Sequence, residues 1–357
     1  MKKILLLATG GTLAARESGK GLVPSMMADE ILHFIPEVKG FCEVSARQIL
    51  NIDSSNIQPE DWLLISRTIK THYDAYDGFV ITHGTDTMAY TASALSYLIQ
   101  NPAKPIVLTC SQKPIDQKNS DAIQNIFDAF WFSVHPENSG VYLVFDEKAI
   151  VGTRASKVRS KSYDAFESIN YPEAAHIHYP KPASRVPSNV PPNGPQREKR
   201  KNRRVKFYDQ LNSSVFLLKL IPGIEPEILD YVGQRYDAVV IESYGMGGLP
   251  FADRRNFLKQ VERLAKLGKI VAVATQVKSE GSDLSVYEVG MKALQSVPLL
   301  QSMDMTVEAV VTKLMWILSL TKVFREVEGL FYTPVNEDIS LFPAFRKPLD
   351  KKNISPI

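Results

Sequence analysis

The sequence predicts an α/β protein of two domains. The larger N-terminal one is built on a doubly wound, mostly parallel sheet, and the smaller C-terminal one is also α/β. Three observations carry this. Short, continuous apolar runs alternate with amphipathic stretches, the pattern of strands covered on both faces by helices. The 357 residues suit about two domains at ~100–200 residues each. A proline-led and then basic stretch, with no apolar period, interrupts the pattern at 181–206.

The first run, 4–8, follows Lys2 and Lys3 and ends in Thr9-Gly10-Gly11-Thr12. It is too short for the apolar core of a signal peptide and lacks a small-x-small cleavage site, so it reads as a strand. Further buried strands are expected at 79–82, 105–109, 141–145, 215–220, 238–242 and 270–275. Pro59-Glu60-Asp61-Trp62 opens a helix, with proline and acids in the first turn. Residues 87–99 and 119–134 are two more helices. The 252–267 stretch sets Phe257, Leu258, Val261, Leu264 and Leu267 on one face and stops at Gly268. The expected boundaries are 1–180 for the N-terminal catalytic domain, 181–206 for a linker, 207–345 for the C-terminal domain and 346–357 for a tail.

Composition narrows the function. Hydrophobic residues at 44% supply cores without disulfide or metal staples. Two cysteines, Cys42 and Cys110, show no C-x-x-C spacing and fit a reducing, cytoplasmic setting. No apolar stretch is long enough to span a membrane. The formal charge is +3, from 42 basic and 39 acidic residues. Residues 196–206 carry seven of those basic residues and one of the acidic ones, so the rest holds 35 against 38. The body is mildly acidic, and the basic balance belongs to the linker.

Four turns could carry chemistry. Thr9-Gly10-Gly11-Thr12 follows a strand, where ligands sit in α/β sheets, and its glycines allow close backbone approach. It is equally an ordinary strand–turn unit. Neither G-x-G-x-x-G nor a P-loop is present there, since Gly19-Lys20 is followed by Gly21. His83-Gly84-Thr85-Asp86-Thr87-Met88 also follows a strand; Asp86 or Thr87 could simply cap the next helix. His83 reads as a hydrogen-bonded structural residue. Asn51-Ile52-Asp53-Ser54-Ser55-Asn56 by itself is a turn. Gly152-Thr153-Arg154-Ala155-Ser156-Lys157 ends in a lysine that could be a solvated charge. No Ser/His/Asp order, H-E-x-x-H or carboxylate-rich metal site accompanies them. A hydroxyl nucleophile then needs another base, and lysine serves if burial or a neighbour lowers its pKa. Thr85, Lys157 and Asp86 satisfy that logic, and an aspartate could also receive a substrate ammonium.

At these residues the sequence resembles the L-asparaginase family, most of all the cytoplasmic type I bacterial enzymes. The resemblance rests on Ala8-Thr9-Gly10-Gly11-Thr12-Leu13-Ala14, on 78–90 around His83-Gly84-Thr85-Asp86, and on Asp53-Ser54-Ser55. It extends through 161–168, Glu242-Ser243-Tyr244-Gly245 and Met305-Thr306-Val307-Glu308-Ala309. It implies hydrolysis of L-asparagine to aspartate and ammonia. Thr12 would be the nucleophile forming a β-aspartyl enzyme, with Thr85, Lys157 and Asp86 assisting proton transfer. Asp86 would also bind the α-ammonium, Ser54 the α-carboxylate, and Asp53 and Ser55 would belong to the substrate site. No metal or organic cofactor is implied. A homodimer or homotetramer is, with active sites between subunits.

The chain departs from the family at several points. The flap spans 14–25, and Leu22 stands where family members carry a tyrosine; the first tyrosine here is Tyr73. Either Lys157 and Thr85 do the proton work or a tyrosine arrives from elsewhere. Glu280, Asp283 and Glu288 are all candidates for the acidic partner of the flap. Gly248 replaces an asparagine, and Cys110 replaces a glycine before Ser111-Gln112 and is read as packing. Glu242 and Val277 replace an arginine and a cysteine of the family's regulatory site, so no allosteric site is expected.

Two alternatives stay within amide chemistry. A broader glutaminase-asparaginase differs by one methylene, worth only ~1–3 kcal/mol in a packed pocket. An aminoacyl-tRNA amidotransferase subunit ordinarily carries an extra N-terminal domain, whereas the first motif here begins by residue 8. A third, non-catalytic nucleic-acid binding, rests on the basic linker alone, followed only by Phe207 and Tyr208 as aromatics. The linker reading predicts no salt-sensitive retention of RNA or DNA in a filter-binding assay. Retention that disappears on deleting 196–206 would reverse it.

Overall fold

The computed structural model describes residues 1–19, 21–177, 204–286, 290, 291, 293, 294 and 297–341. The expected linker lies outside the described residues up to residue 203, as does the expected tail at 346–357. The chain divides into two compact units, Met1–Gln210 and Leu211–Ile357.

In the first unit the strands are β1 (Lys2–Gly10), β2 (Ala15–Glu17), β3 (Leu22–Pro24), β4 (Cys42–Ile52), β5 (Gly78–Thr82), β6 (Ile99–Gln100), β7 (Pro105–Thr109), β8 (Gly140–Phe145), β9 (Lys148–Val151), β10 (Ala155–Lys157), β11 (Phe166–Ser168), β12 (Ala175–His176) and β13 (Lys206–Phe207). The helices are α1 (Ala28–His33), α2 (Pro59–His72), α3 (Met88–Leu98) and α4 (Ala122–Ser133). Seven strands form one sheet in the order β12-β9-β8-β7-β5-β1-β4. Neighbours from β4 to β8 run parallel, and β9 and β12 add an antiparallel edge. The mostly parallel sheet expected from the apolar runs is therefore present.

Strand β4, only a strand-like run before Asn51 in the sequence, is absent from the expected buried strands, for a physical reason. It is an edge strand whose burial alternates, with Glu43 and Ser45 exposed or half-exposed between better covered residues, so it offers no continuous apolar run. Interior strands are different: β5, β7 and β8 are buried at every position. Ile4, Leu6, Val80, Val107 and Val144 meet Ile126, Ala129 and Phe130 of α4 in one core cluster. Full burial of each side chain of valine size or larger contributes ~1.5–3 kcal/mol. Helix α2 starts where expected: Pro59 opens it, and the Asp61 carboxylate accepts the Gln58 N–H at 2.8 Å. Phe207 pairs with Ile99 in a short antiparallel ladder that ties it to the first unit.

The second unit contains β14 (Val215–Lys219), β15 (Ala238–Ser243), β16 (Ile270–Thr275) and β17 (Leu300–Gln301), all parallel and in sequential order. Its helices are α5 (Ile228–Arg235), α6 (Phe257–Lys266), α7 (Val307–Leu318) and α8 (Phe324–Phe331). Helix α6 begins at Phe257, later than expected. Asn256 accepts the Lys259 N–H at 3.0 Å and caps the helix there, behind a 3₁₀ turn at Asp253–Arg255. It ends at Gly268, which adopts φ +73°, as the sequence anticipates.

One buried ion pair anchors this unit. Lys313 of α7 meets Asp338 at 2.6 Å with both side chains wholly buried, and its Nζ also donates to the Thr333 carbonyl at 2.9 Å. Removing one partner strands the other charge in the core. Lys313→Met is therefore expected to cost ~3–5 kcal/mol in urea unfolding, and replacing Asp338 with leucine in the same chain should recover most of it. An unchanged midpoint in Lys313→Met would refute the assignment.

Candidate active site

Three loops converge at the carboxyl end of the first sheet, where ligands sit in such folds. They follow β4, β1 and β5, which are adjacent and parallel, so their ends must meet. The β1–β4 register shifts between Ala8 and Gly10, and the Gly11 N–H donates to the Ile52 carbonyl at 3.0 Å. Gly10 (φ +102°) and Gly11 (φ +77°) adopt left-handed conformations. A Cβ on Gly10 would stand 2.6 Å from the Ile52 backbone, and one on Gly11 would stand 2.4 Å from the Gly84 nitrogen. A Cβ on Gly84 would stand 2.5 Å from Ser54 Oγ. Thr12 follows directly, half-buried at the head of a 3₁₀ turn. Among the described residues, none hydrogen-bonds its hydroxyl.

The Gly84-Thr85-Asp86 loop binds Lys157. Its Nζ donates to Thr85 Oγ1 at 2.8 Å and to Asp86 Oδ1 at 2.7 Å. Thr85 is buried, and the Lys157 and Asp86 side chains are 19% and 61% exposed. Lys157 ends β10, held antiparallel to β11 with Lys157 opposite Phe166. Just upstream, Gly152 lets the chain press on α3, where a Cβ would stand 2.9 Å from the Ala92 carbonyl. The helix-capping alternative fails for both candidates. Neither Asp86 nor Thr87 caps α3: the Asp86 carboxylate takes Lys157, and the Thr87 hydroxyl donates to the Ser54 carbonyl at 2.7 Å.

Ser54 braces this arrangement. It is buried, and its Oγ accepts the Asp86 N–H at 3.3 Å. Asp53 and Ser55 engage each other instead: Asp53 Oδ1 accepts the Ser55 N–H at 2.8 Å and the Ser55 hydroxyl at 2.7 Å. Those bonds hold the Asp53 carboxyl below its usual range. The brace was not legible in the sequence, although the glycine at position 84 is its signal.

The other residues marked by the sequence lie as follows. The flap is a hairpin of β2 and β3, with Leu22 exposed opposite Glu17. Glu280 takes φ +75°, the Asp283 N–H donates to the Met246 carbonyl, and Glu288 lies outside the described residues. Gly248 bridges to Tyr244 in a tight turn. Cys110 is wholly buried, and that burial pushes its thiol well above the usual value. Among the described residues, no three His, Cys, Asp or Glu side chains gather as a metal site, and no helix is long and apolar enough to cross a membrane.

The asparaginase N-terminal family model matches residues 3–187, and the glutaminase/asparaginase C-terminal domain model matches 214–331. The chain belongs to the asparaginase family. It is 40% identical to the L-asparaginase of Thermococcus kodakarensis over 95% of this chain and 99% of that one. A solved structure of the thermostable L-asparaginase from that organism superposes with a TM-score of 0.83 at 39% identity, covering 95% of this chain and all of the other. Identity to L-asparaginase 1 of Escherichia coli K12 is 33%, over 89% of this chain and 92% of the relative. A glutamyl-tRNA(Gln) amidotransferase polypeptide of Pyrococcus abyssi is 30% identical, over 97% of this chain and 78% of its own.

The glycine contacts make a stability prediction. Gly11→Ala adds a Cβ against the Gly84 backbone at a φ that suits glycine, and is expected to cost ~2–4 kcal/mol. Thermal unfolding checks this; an unshifted Tm would mean that the two loops do not need their close approach.

Proposed function

We propose that the chain hydrolyses L-asparagine to L-aspartate and ammonia. The observation that carries this reading is the Lys157–Thr85–Asp86 cluster, built onto the sheet end that also presents Thr12. Thr12 Oγ attacks the side-chain amide carbon. Its proton passes through Thr85 and Lys157 to the departing nitrogen, which leaves as ammonia. Water then attacks the β-aspartyl ester, returns a proton to Thr12 and releases aspartate. Backbone N–H groups beside Thr12 and Thr85 stabilise the oxyanion, usually the largest catalytic contribution. Asp86 receives the α-ammonium. Ser54 receives the α-carboxylate, with Asp53 and Ser55 shaping that loop. Leu22 has no ionisable proton; in this reading Lys157 and Thr85 do the work that the family assigns to a flap tyrosine, and a tyrosine from elsewhere is the alternative.

The working state is a homodimer or homotetramer in the cytoplasm. Free, buried Cys42 and Cys110 suit that reducing compartment. The domain boundaries of 1–180 and 207–345 complete the reading. A glutaminase-asparaginase is the second reading, favoured by the glutaminase/asparaginase C-terminal domain match.

Initial rates with asparagine and glutamine over a wide concentration range test this reading. Ammonia release from asparagine should far exceed that from glutamine. Thr12→Ala should lose at least ~10³-fold, and Lys157→Met ~10²–10⁴-fold. The asparagine rate curve should be hyperbolic. Full activity in Thr12→Ala would end the nucleophile assignment, and a sigmoidal curve would overturn the absence of an allosteric site.

A further inference from the structure

His83 lies beside the proposed machinery but takes no part in it. It is wholly buried, and each of its ring nitrogens has a partner. Nδ1 is 2.8 Å from the Gly84 carbonyl oxygen, and Nε2 is 3.0 Å from Thr91 Oγ1 of α3. Thr91 Oγ1 in turn accepts the indole N–H of Trp62, from α2, at 2.9 Å.

The direction of this chain is forced. An indole only donates and a carbonyl only accepts. The Gly84 carbonyl therefore requires a proton on Nδ1. Burial lowers the histidine pKa to about 4, so the ring is neutral near pH 7 and Nε2 carries a lone pair. The Thr91 hydroxyl uses its single proton on Nε2 and accepts from Trp62. Every proton from Trp62 to Gly84 is assigned, and the ring is locked in one tautomer.

The end of the chain is the Gly84–Thr85 peptide. No described peptide bond is cis, and in a trans peptide the C=O and N–H point opposite ways. A Gly84 carbonyl held on His83 turns the Thr85 N–H away from the ring. Among the described residues, nothing accepts that N–H. It is left as an unpaired donor at the loop where Thr85 meets Lys157.

We propose that His83 is a positioning residue: through the Trp62–Thr91–His83 chain it fixes the Gly84–Thr85 peptide so that the Thr85 N–H faces the oxyanion formed during amide hydrolysis. This rests on the asparagine-hydrolysis reading. A donor aimed at the transition state acts on kcat more than on KM. The test compares three single variants in the asparagine assay, alongside wild type and Thr12→Ala. His83→Asn keeps an N–H donor at the Nδ1 position, His83→Leu removes it, and Thr91→Val breaks the chain one step earlier. The proposal expects His83→Leu to lose tenfold or more in kcat with KM within about twofold of wild type. It expects His83→Asn to stay within about threefold of wild type, and Thr91→Val to fall between the two. Equal losses in His83→Asn and His83→Leu, or a loss confined to KM, would overturn it. Nitrogen-15 NMR of histidine-labelled protein supplies a readout independent of activity, in which the His83 signals, assigned by their loss in His83→Asn, must show a protonated Nδ1 and a bare Nε2. If wild type released no ammonia from asparagine, the functional reading would fail while the tautomer measurement still decided the relay. A protonated Nε2 would refute the relay even in an active enzyme.

Discussion

Backbone packed on backbone without a side chain between is the constraint on which the site depends. Gly11 lies against the Gly84 backbone and Gly10 against that of Ile52, while Gly84 in turn lies against the Ser54 side chain, each at distances no Cβ could occupy. The sheet order makes this possible, because β1 runs parallel between β4 and β5 and their carboxyl ends leave side by side. The glycines convert that adjacency into contact. Thr12 is the residue after one contact point and Thr85 the residue after the other. Two threonines distant in sequence thus each follow a glycine of the same backbone contact, before any side-chain bond is made.

Lysine reaches the cluster by a different route. Lys157 arrives after the parallel sheet has turned antiparallel, on a short hairpin pressed against α3 at Gly152. The β8–β9 turn that begins this excursion uses Asp146 and Glu147, both at positive φ, and the Asp146 N–H is held by Asn125 Oδ1 at 3.0 Å. The antiparallel edge is thus more than a margin of the sheet. It carries the chain back to deliver a cation to the end of β5.

Much of this was legible in the sequence, and the remainder was hidden for identifiable reasons. Continuous apolar runs mark β5, β7, β8, β15 and β16 because those strands are covered on both faces. The edge strand β4 and the flap strands β2 and β3 lack that cover, and β10 and β11 are three residues each, so their sequences show no such run. Thr12, Thr85, Asp86 and Lys157 stood out as residue types in turns after strands, but their pairing is a long-range fact: Lys157 is 72 residues from Thr85. Ser54 acts on a loop more than thirty residues away, and only the glycine at position 84 signals that contact in the sequence. Ser55 and Asp53 show the opposite case, where a local Asx-type turn accounts for both side chains.

Energetics separate what holds the fold from what serves the site. The Lys313–Asp338 pair is sealed from water, and breaking it leaves a charge in the core. The Lys157–Asp86 pair is of similar length, but its carboxylate is 61% exposed, and exposed pairs contribute only ~0–1 kcal/mol. The ion pair alone therefore does not explain why Lys157 is held there. Its second bond does, because the same ammonium reaches the buried Thr85 hydroxyl, which a solvated lysine would leave unpaired. Asp86 accepts from Lys157 through Oδ1. Its other oxygen and its exposure leave it able to meet a second cation, as the proposed chemistry requires of the group that receives a substrate ammonium. One carboxylate can then fix the lysine from one side and orient the substrate from the other, which places the scissile amide by the same side chain that places the proton carrier.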